Sequence, residues 1–227
     1  MTAVRFEPGS DPTHARECVV LVHGFLANKF MLSVLARRLR RYGYQTDAWG
    51  YWNMHCSLLV HAERFACELA ALDSDPRVGR IHLVGHSMGC IIGRAALADI
   101  RPAKFGRFVM LAPPNRGSFV ATATAGTFGR LLRPVAELST AADSLVNRLP
   151  MPLDIEVGVI AAEHDALVSE ESTHPDTPHA HVTVPTWHTG LLFRRETPAL
   201  VAGFLSTGAF PDSPATVSVP DQSRQGQ

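Results

Sequence analysis

The residues with the clearest capacity for chemistry lie at 85–89, where the chain has the spacing G-x-S-x-G around Ser87. A short apolar run at 81–84 precedes them, and apolar residues at helical spacing follow over 91–97, which predicts a strand, a sharp turn and a helix. So tight a turn forces its central residue into a strained backbone conformation, and the flanking glycines relieve the crowding. Ser87 would project from the carboxyl edge of a sheet, with the Met88 N–H directed at an anion forming beside it.

A serine hydroxyl is a poor nucleophile until an imidazole takes its proton and a carboxylate holds that imidazole in the right tautomer. Eleven histidines compete for the first role. His188 follows the last apolar run and precedes the last predicted helix, and Asp165 comes just after the apolar run at 158–162. Glu163 and Asp154 are alternatives to Asp165, although Asp154 precedes that run and would lie at the wrong edge of the sheet.

The composition narrows the classes of function. A length of 227 residues, 46% hydrophobic content and a mean hydropathy of +0.05 suit one compact domain with a full hydrophobic core. Lys+Arg and Asp+Glu each total 21, so no net charge favours a nucleic-acid partner, and a small, roughly neutral substrate is expected.

Neither the cysteines nor the histidines have the spacing of a standard metal site, so no metal is expected. The four cysteines are Cys18, Cys56, Cys67 and Cys90, and free thiols are expected. The histidines that raise the question are His174, His179 and His181, close to Asp176. No 18 apolar residues run together and the N-terminus has no apolar core, so we expect a cytoplasmic protein with no transmembrane segment, although a trimmed secretory signal would leave the same pattern.

The elements that must position these residues alternate between strand and helix. Six apolar runs predict strands at 18–23, 44–49, 81–84, 107–112, 155–161 and 181–184. Helices are predicted between them, the first capped by Asn28 with Phe30, Leu35 and Leu39 on its apolar face. This order predicts an α/β fold with a minimal, mostly parallel sheet of about six strands and helices on both faces. We expect residues 1–17 to be an N-terminal arm, 18–205 the domain and 206–227 a disordered tail.

Residues 117–149 are too many for an ordinary connection of about 2 to 6 residues. The segment leaves the sheet at the same edge as Ser87 and carries loosely helical apolar residues, among them Phe128, Leu131 and Leu132. We interpret it as a small lid or pocket wall; a plain crossover helix covering the sheet is the alternative. Trp49, Tyr51 and Trp52 leave the sheet at the same edge, where they would line an acyl pocket or pack in the core.

His23-Gly24-Phe25 follows the first core strand, the 85–89 motif follows a later one, and Asp165 and His188 follow the last two. With these motifs the chain resembles the α/β-hydrolase superfamily and, within it, the small serine lipases and esterases. The resemblance covers roughly residues 18–205. It implies the α/β-hydrolase fold, with Ser87 as nucleophile, Asp165 as acid and His188 as base. It also implies an oxyanion hole formed by the amides of Phe25 and Met88; a plain strand exit is the alternative reading of residues 23–25.

The function implied by this resemblance is hydrolysis of carboxylic esters of apolar acyl groups through an acyl-enzyme, without a cofactor. A thioesterase or an acyltransferase would use the same three residues. A non-catalytic binding protein of the same fold is the contrasting class, and such proteins usually lack one member of the triad, whereas all three candidates are present here.

Overall fold

The structure, a computed structural model, describes residues 16–51, 56–118, 121, 136–152 and 154–211. The strands are β1 (Arg16–Val22), β2 (Gln45–Trp49), β3 (Val78–His86), β4 (Phe105–Leu111), β5 (Glu156–Ala162) and β6 (Ala180–Val184). The helices that fall wholly within the described residues are α1 (Ser33–Arg40), α2 (Leu58–Ser74), α3 (Met88–Asp99), α4 (Leu145–Arg148), α5 (Glu170–Thr173) and α6 (Thr197–Thr207). Short 3-10 helices span Lys29–Leu32 and His188–Leu192.

The six strands of the described residues form one sheet, in the order β2-β1-β3-β4-β5-β6, and every neighbouring pair is parallel. The predicted fold class is therefore confirmed. Because the strands are parallel, the residues that follow them gather at one edge, and this carboxyl edge is where Ser87, Asp165 and His188 all lie.

Helices cover both faces of the sheet. Val20 and Val22 of β1 pack in a core with α2 and α3, while Val19 and Leu21 point to the other side and pack with α1 and α6. Burial on both sides explains why β1 is apolar without alternation. The longest helix of the described ranges is α2, with 17 residues, and none of their helices is long and apolar enough to cross a membrane.

The ends of the described chain depart slightly from the expected domain boundaries. Arg16 and Glu17, assigned to the predicted arm, belong to β1, and α6 continues to Thr207 rather than ending at residue 205. The rest of the predicted arm (1–15) and most of the predicted tail (212–227) lie outside the described residues.

Asn28 caps a 3-10 helix rather than α1. Its side chain accepts a hydrogen bond from the Phe30 N–H at 3.0 Å, and the α-helix starts only at Ser33. The change of helix type shifts the phase of the apolar face, so Leu35 and Leu39 are fully buried whereas Phe30 is 74% exposed. The prediction that Phe30 belongs to the buried face is wrong.

The described parts of the 117–149 segment are fastened to the body of the domain. The Ser118 N–H donates to the Leu138 carbonyl oxygen at 2.8 Å, which joins the start of the segment to Leu138. Glu137 accepts a hydrogen bond from the N–H of Leu58 at 2.7 Å, which satisfies the first residue of α2.

A cluster of three histidines joins α5 to β6. His174 and His179 are linked by a 2.9 Å hydrogen bond between their ring nitrogens, and the His174 and His181 rings stack with their centroids 4.1 Å apart. Burial, followed by the nearby rings of His174 and His179, lowers the pKa of His181 to about 4, and burial lowers the pKa values of His174 and His179 as well. Burial therefore disfavours the protonated form of all three rings.

The folded-state pKa of His181 lies below its unfolded value of about 6.5. At a pH between these two values the unfolded chain therefore binds more protons than the folded chain. As a result, the folded state loses stability as the pH falls through that range. We expect the thermal midpoint to fall from pH 7 to pH 4, by about 2 to 4 °C for each kcal/mol lost. A His181→Gln variant should show a shallower decline in the same series of melts. An equal decline in both proteins would contradict this assignment.

Candidate active site

Ser87 lies at the junction of β3 and α3 and is the single residue between them. Its backbone has φ 53° and ψ −124°, a strained conformation that costs a residue with a side chain about 1–3 kcal/mol. The Ser87 N–H donates to the Leu111 carbonyl oxygen of β4 at 2.9 Å, which anchors the turn to the neighbouring strand. The strained turn that the G-x-S-x-G spacing predicts is present, and Ser87 opens into a cavity at the carboxyl edge.

The two glycines of the motif meet a packing requirement. A Cβ at Gly85 would lie 2.7 Å from the Cα of Cys90, and a Cβ at Gly89 would collide with the carbonyl oxygen of Val22. Both obstacles are backbone atoms, one in α3 and one in β1, so neither can swing aside. The absence of side chains at these positions lets α3 start directly against the sheet.

Asp165 and His188 come together at the ends of β5 and β6. The distance from His188 Nδ1 to Asp165 Oδ2 is 2.6 Å, and Asp165 Oδ1 accepts hydrogen bonds from the N–H groups of Leu167 (2.8 Å) and Val168 (3.0 Å). Burial alone would raise the pKa of Asp165, but the hydrogen bond and charge of His188 and the two N–H donors outweigh it and lower that pKa. An ionised Asp165 holds the proton of His188 on Nδ1, which leaves Nε2 as an acceptor.

The other carboxylates considered for this role lie elsewhere. Glu163 is exposed, and its backbone N–H is bonded to the Val184 carbonyl oxygen. Asp154 is exposed and precedes β5, at the opposite edge of the sheet from His188. Of the three, Asp165 is the carboxylate that the structure brings to His188.

His86 supports the backbone that carries His188. Its Nε2 lies 3.3 Å from the His188 carbonyl oxygen, and the two ring centroids are 4.9 Å apart. Burial, followed by the proximity of His188, lowers the pKa of His86 to about 3. The neutral ring can therefore donate from Nε2 to that carbonyl across the pH range in which proteins are usually studied. The sequence did not predict this contact, because 102 residues separate the two histidines.

The loop after β1 passes close to Ser87. A Cβ built on Gly24 would lie 2.9 Å from the Cβ of Ser87, and Leu26 turns the loop with φ 54°. Met88 is the first residue of α3, where amides have no partner within the helix. Among the described residues, neither the Phe25 N–H nor the Met88 N–H has a hydrogen-bond acceptor. Both amides therefore keep their capacity to donate a hydrogen bond.

The cavity at Ser87 has a volume of about 440 Å³ and a mainly apolar wall. Among the described residues that line it, none carries a carboxylate, an ammonium or a guanidinium group. Ser87 and His188 both open onto it, as do His86 and Thr189. The other lining residues are Phe25, Leu26, Ala27, Met31, Pro114, Ser118, Ala121, Leu138, Leu167 and Val168.

The structure places Trp49 and Tyr51 in the core rather than in this wall. The Tyr51 ring stacks on His23 with centroids 4.2 Å apart, and its hydroxyl donates to the His23 carbonyl oxygen at 2.6 Å. Trp49 packs against Phe65 of α2, with ring centroids 4.9 Å apart. Trp49 and Tyr51 therefore pack in the core, the second of the two expected positions. The contacts of Tyr51 with His23 support the loop that carries Phe25.

Four residues predicted to line the pocket, namely Trp52, Phe128, Leu131 and Leu132, lie outside the described residues. Most of the lining that the structure does show was not predicted from the sequence. Met31 lies in the 3-10 helix after β1, and Leu167 and Val168 lie in the loop after β5. Their position after the carboxyl ends of strands is the signal that would have identified them.

The described residues contain no group of three metal-ligating side chains with the geometry of a metal site. The rings of His174 and His181 stack face to face, so their nitrogens do not converge on one point. The four cysteines are free thiols, and Cys18 and Cys90 are buried.

Comparison with known proteins agrees with this fold. A sequence model described as the alpha/beta hydrolase family matches residues 19–223. A Mycoplasma pneumoniae protein assigned as an esterase/lipase is 29% identical over 112 residues. That match covers 48% of this chain and 40% of the relative, so the chain aligns with less than half of that protein's length.

Solved structures show the same architecture. The mature form of the lipase BlEst2 from Bacillus licheniformis superposes with a TM-score of 0.69 at 16% identity, over 89% of this chain and 96% of that one. The Pyrococcus furiosus esterase Pf2001 superposes with a TM-score of 0.60 at 16% identity, over 85% of this chain and 83% of that one. At this level of identity the likeness shows the fold.

Proposed function

On the premise that the chain belongs to the α/β-hydrolase family, we propose that it is a serine hydrolase that cleaves carboxylic esters of apolar acyl groups through an acyl-enzyme. The observation that carries the proposal is the 2.6 Å contact between His188 and Asp165 beside a cavity that Ser87 enters from a strained turn. Lipases and esterases among the similar proteins support hydrolysis of an ester bond.

In the first half of the proposed reaction, Ser87 Oγ attacks the ester carbonyl carbon while His188 Nε2 takes the hydroxyl proton. The imidazolium that forms is stabilised by the carboxylate of Asp165. The amides of Phe25 and Met88 donate to the oxyanion, and none of the described lining residues carries a negative charge that would repel it. His188 then returns its proton to the departing alcohol and the acyl-enzyme remains.

The second half repeats these steps with water. His188 takes a proton from the water as the water oxygen attacks the acyl carbon. When the tetrahedral intermediate collapses, the bond to Ser87 Oγ breaks, His188 returns the proton to that oxygen, and the carboxylic acid is released. His86 contributes by holding the carbonyl group of His188, which keeps the imidazole at the same place through both halves. No step requires a cofactor.

The wall of the cavity favours an uncharged substrate with an apolar acyl group. A buried ionic group would find no partner of opposite charge among the lining residues. Ala121 and Leu138 belong to the 117–149 segment and line the cavity, so we assign to that segment the role of a pocket wall that contributes to substrate selection.

Replacement of Ser87 by alanine tests the nucleophile. We expect Ser87→Ala to lower kcat for p-nitrophenyl butyrate by about 10³ to 10⁶, because the attacking oxygen is lost while the fold is kept. Ser118→Ala is the matched control, since Ser118 lines the same cavity with its hydroxyl donating to the Leu167 carbonyl oxygen at 2.8 Å, and it should retain most of the turnover. Similar rates for wild type and a folded Ser87→Ala protein would exclude this mechanism.

Replacement of the acid tests the assignment of Asp165. Asp165→Asn keeps the shape of the side chain but favours the wrong tautomer of His188, so kcat should fall by about 10³ to 10⁴. Glu163→Gln, two residues away and exposed, should change kcat by less than about threefold. A larger loss in the Glu163 variant than in the Asp165 variant would transfer the role to Glu163.

Truncation of Leu138 tests the pocket wall. Leu138→Ala enlarges the cavity, so the ratio of kcat/KM for octanoyl over butyryl esters should change by about tenfold or more. Val146→Ala is the control from the same segment, because Val146 is fully buried and does not line the cavity. It should lower the thermal midpoint without altering the chain-length ratio. An unchanged ratio in Leu138→Ala would indicate that the segment only covers the sheet.

A further inference from the structure

A second cavity, of about 370 Å³, lies between the end of α1 and the start of α6. It shares no lining residue with the cavity at Ser87. Its lining consists of Arg38, Arg41, Tyr42, Arg195 and Pro198. Three of these five residues are arginines, and none is acidic. Nothing in the proposed ester hydrolysis uses them.

One of the three guanidinium groups is fixed in place. Arg38 Nη1 donates to the carbonyl oxygens of Phe193 (2.8 Å) and Arg194 (2.7 Å), which tie α1 to the chain segment before α6. The other N–H groups of Arg38 keep their capacity to donate. The guanidinium groups of Arg41 and Arg195 have no hydrogen-bond or ion-pair partner within the described part of the chain.

The concentration of positive charge is local. The whole chain carries 21 basic and 21 acidic residues, yet the lining of this cavity has three cations and no anion. Glu196 is the nearest acid in the sequence, and it pairs with Arg194. The C-terminus of α1 contributes about half a negative charge, which a single arginine would offset. Pro198 lies at the N-terminus of α6, where the partial charge of the helix is positive.

We propose that this cavity binds the phosphate group of an anionic ligand. Guanidinium groups match the oxygens of a phosphate through paired N–H donors. Three guanidinium groups together suit a phosphate dianion better than they suit a carboxylate, which carries a single charge. Two exposed aromatic side chains lie next to the arginines: Tyr42, which is 53% exposed, and Phe193, which is 47% exposed and whose carbonyl oxygen accepts from Arg38. They offer apolar surface to the part of the ligand beyond its phosphate group. The phosphate group can belong to a soluble molecule or to the headgroup of an anionic lipid, and the chemistry of recognition is the same.

Two probes separate these sources. Inorganic pyrophosphate, followed by titration calorimetry, represents the soluble ligand; vesicles of phosphatidylcholine with and without phosphatidylglycerol, followed by co-sedimentation, represent the lipid. The test variant is Arg41→Gln combined with Arg195→Gln. Arg37→Gln is the matched control, since Arg37 is an exposed arginine on α1 outside the cavity.

We expect the double variant to bind the effective probe about tenfold or more weakly than the wild type, with binding that also weakens as salt is added. Arg37→Gln should bind as the wild type does. Binding of pyrophosphate with this pattern identifies a soluble phosphate compound as the ligand class; binding only to phosphatidylglycerol vesicles identifies the lipid headgroup. Thermal midpoints without ligand show whether each variant is folded, and the single Arg195→Gln variant replaces the double one if the latter unfolds.

Three results would overturn the proposal: no binding of either probe by the wild type, equal binding by wild type and double variant, or an equal loss in Arg37→Gln and the double variant. The last would show attraction to surface charge without a site. Ser87→Ala protein should bind the effective probe as tightly as the wild type. The outcome is therefore independent of whether the chain hydrolyses esters.

Discussion

The positive φ of Ser87 is the constraint on which the rest of the site depends. Holding a serine at φ 53° costs about 1–3 kcal/mol, and the cost must be met by the packing around it. β3 is paired on both sides by β1 and β4, and most of α3 is buried, so strand and helix cannot separate to relax the turn. Hydrogen bonds from the Ser87 N–H to Leu111 and from the Cys90 N–H to Ser87 fix the two ends of the strained residue.

Strand order brings the other two groups to this turn. β4 lies beside β3, and β5 and β6 follow in sequence, so Asp165 and His188 leave neighbouring strands at the edge where Ser87 emerges. Each group has its own support: two backbone amides bind Asp165, and His86 contacts the His188 carbonyl oxygen. These hydrogen bonds hold both groups in place beside an apolar cavity, and those of Asp165 outweigh the effect of burial and lower the pKa of its carboxyl group.

The sequence predicted the fold well because buried parallel strands leave a strong local signal. Six apolar runs correspond to six strands, and the position of Asp165 after β5 identified the carboxylate that contacts His188. The signal was weaker where local pattern and tertiary environment disagree. Phe30 follows the helical period but sits in a 3-10 helix and is exposed, whereas Tyr51 follows a strand end yet turns inward to bind His23.

Contacts between distant residues had no local signal at all. Those between His86 and His188 and between Ser118 and Leu138 depend on how the loops return to the sheet edge. The central claim, that Ser87 is a nucleophile activated by His188 and Asp165, is tested most directly by covalent labelling. Native protein would be treated with a fluorophosphonate and analysed by intact mass and peptide mapping, beside Asp165→Asn and His188→Ala proteins. The account predicts one adduct per chain, on Ser87, formed far more slowly in both variants; an adduct on another residue, or none on folded native protein, would contradict it.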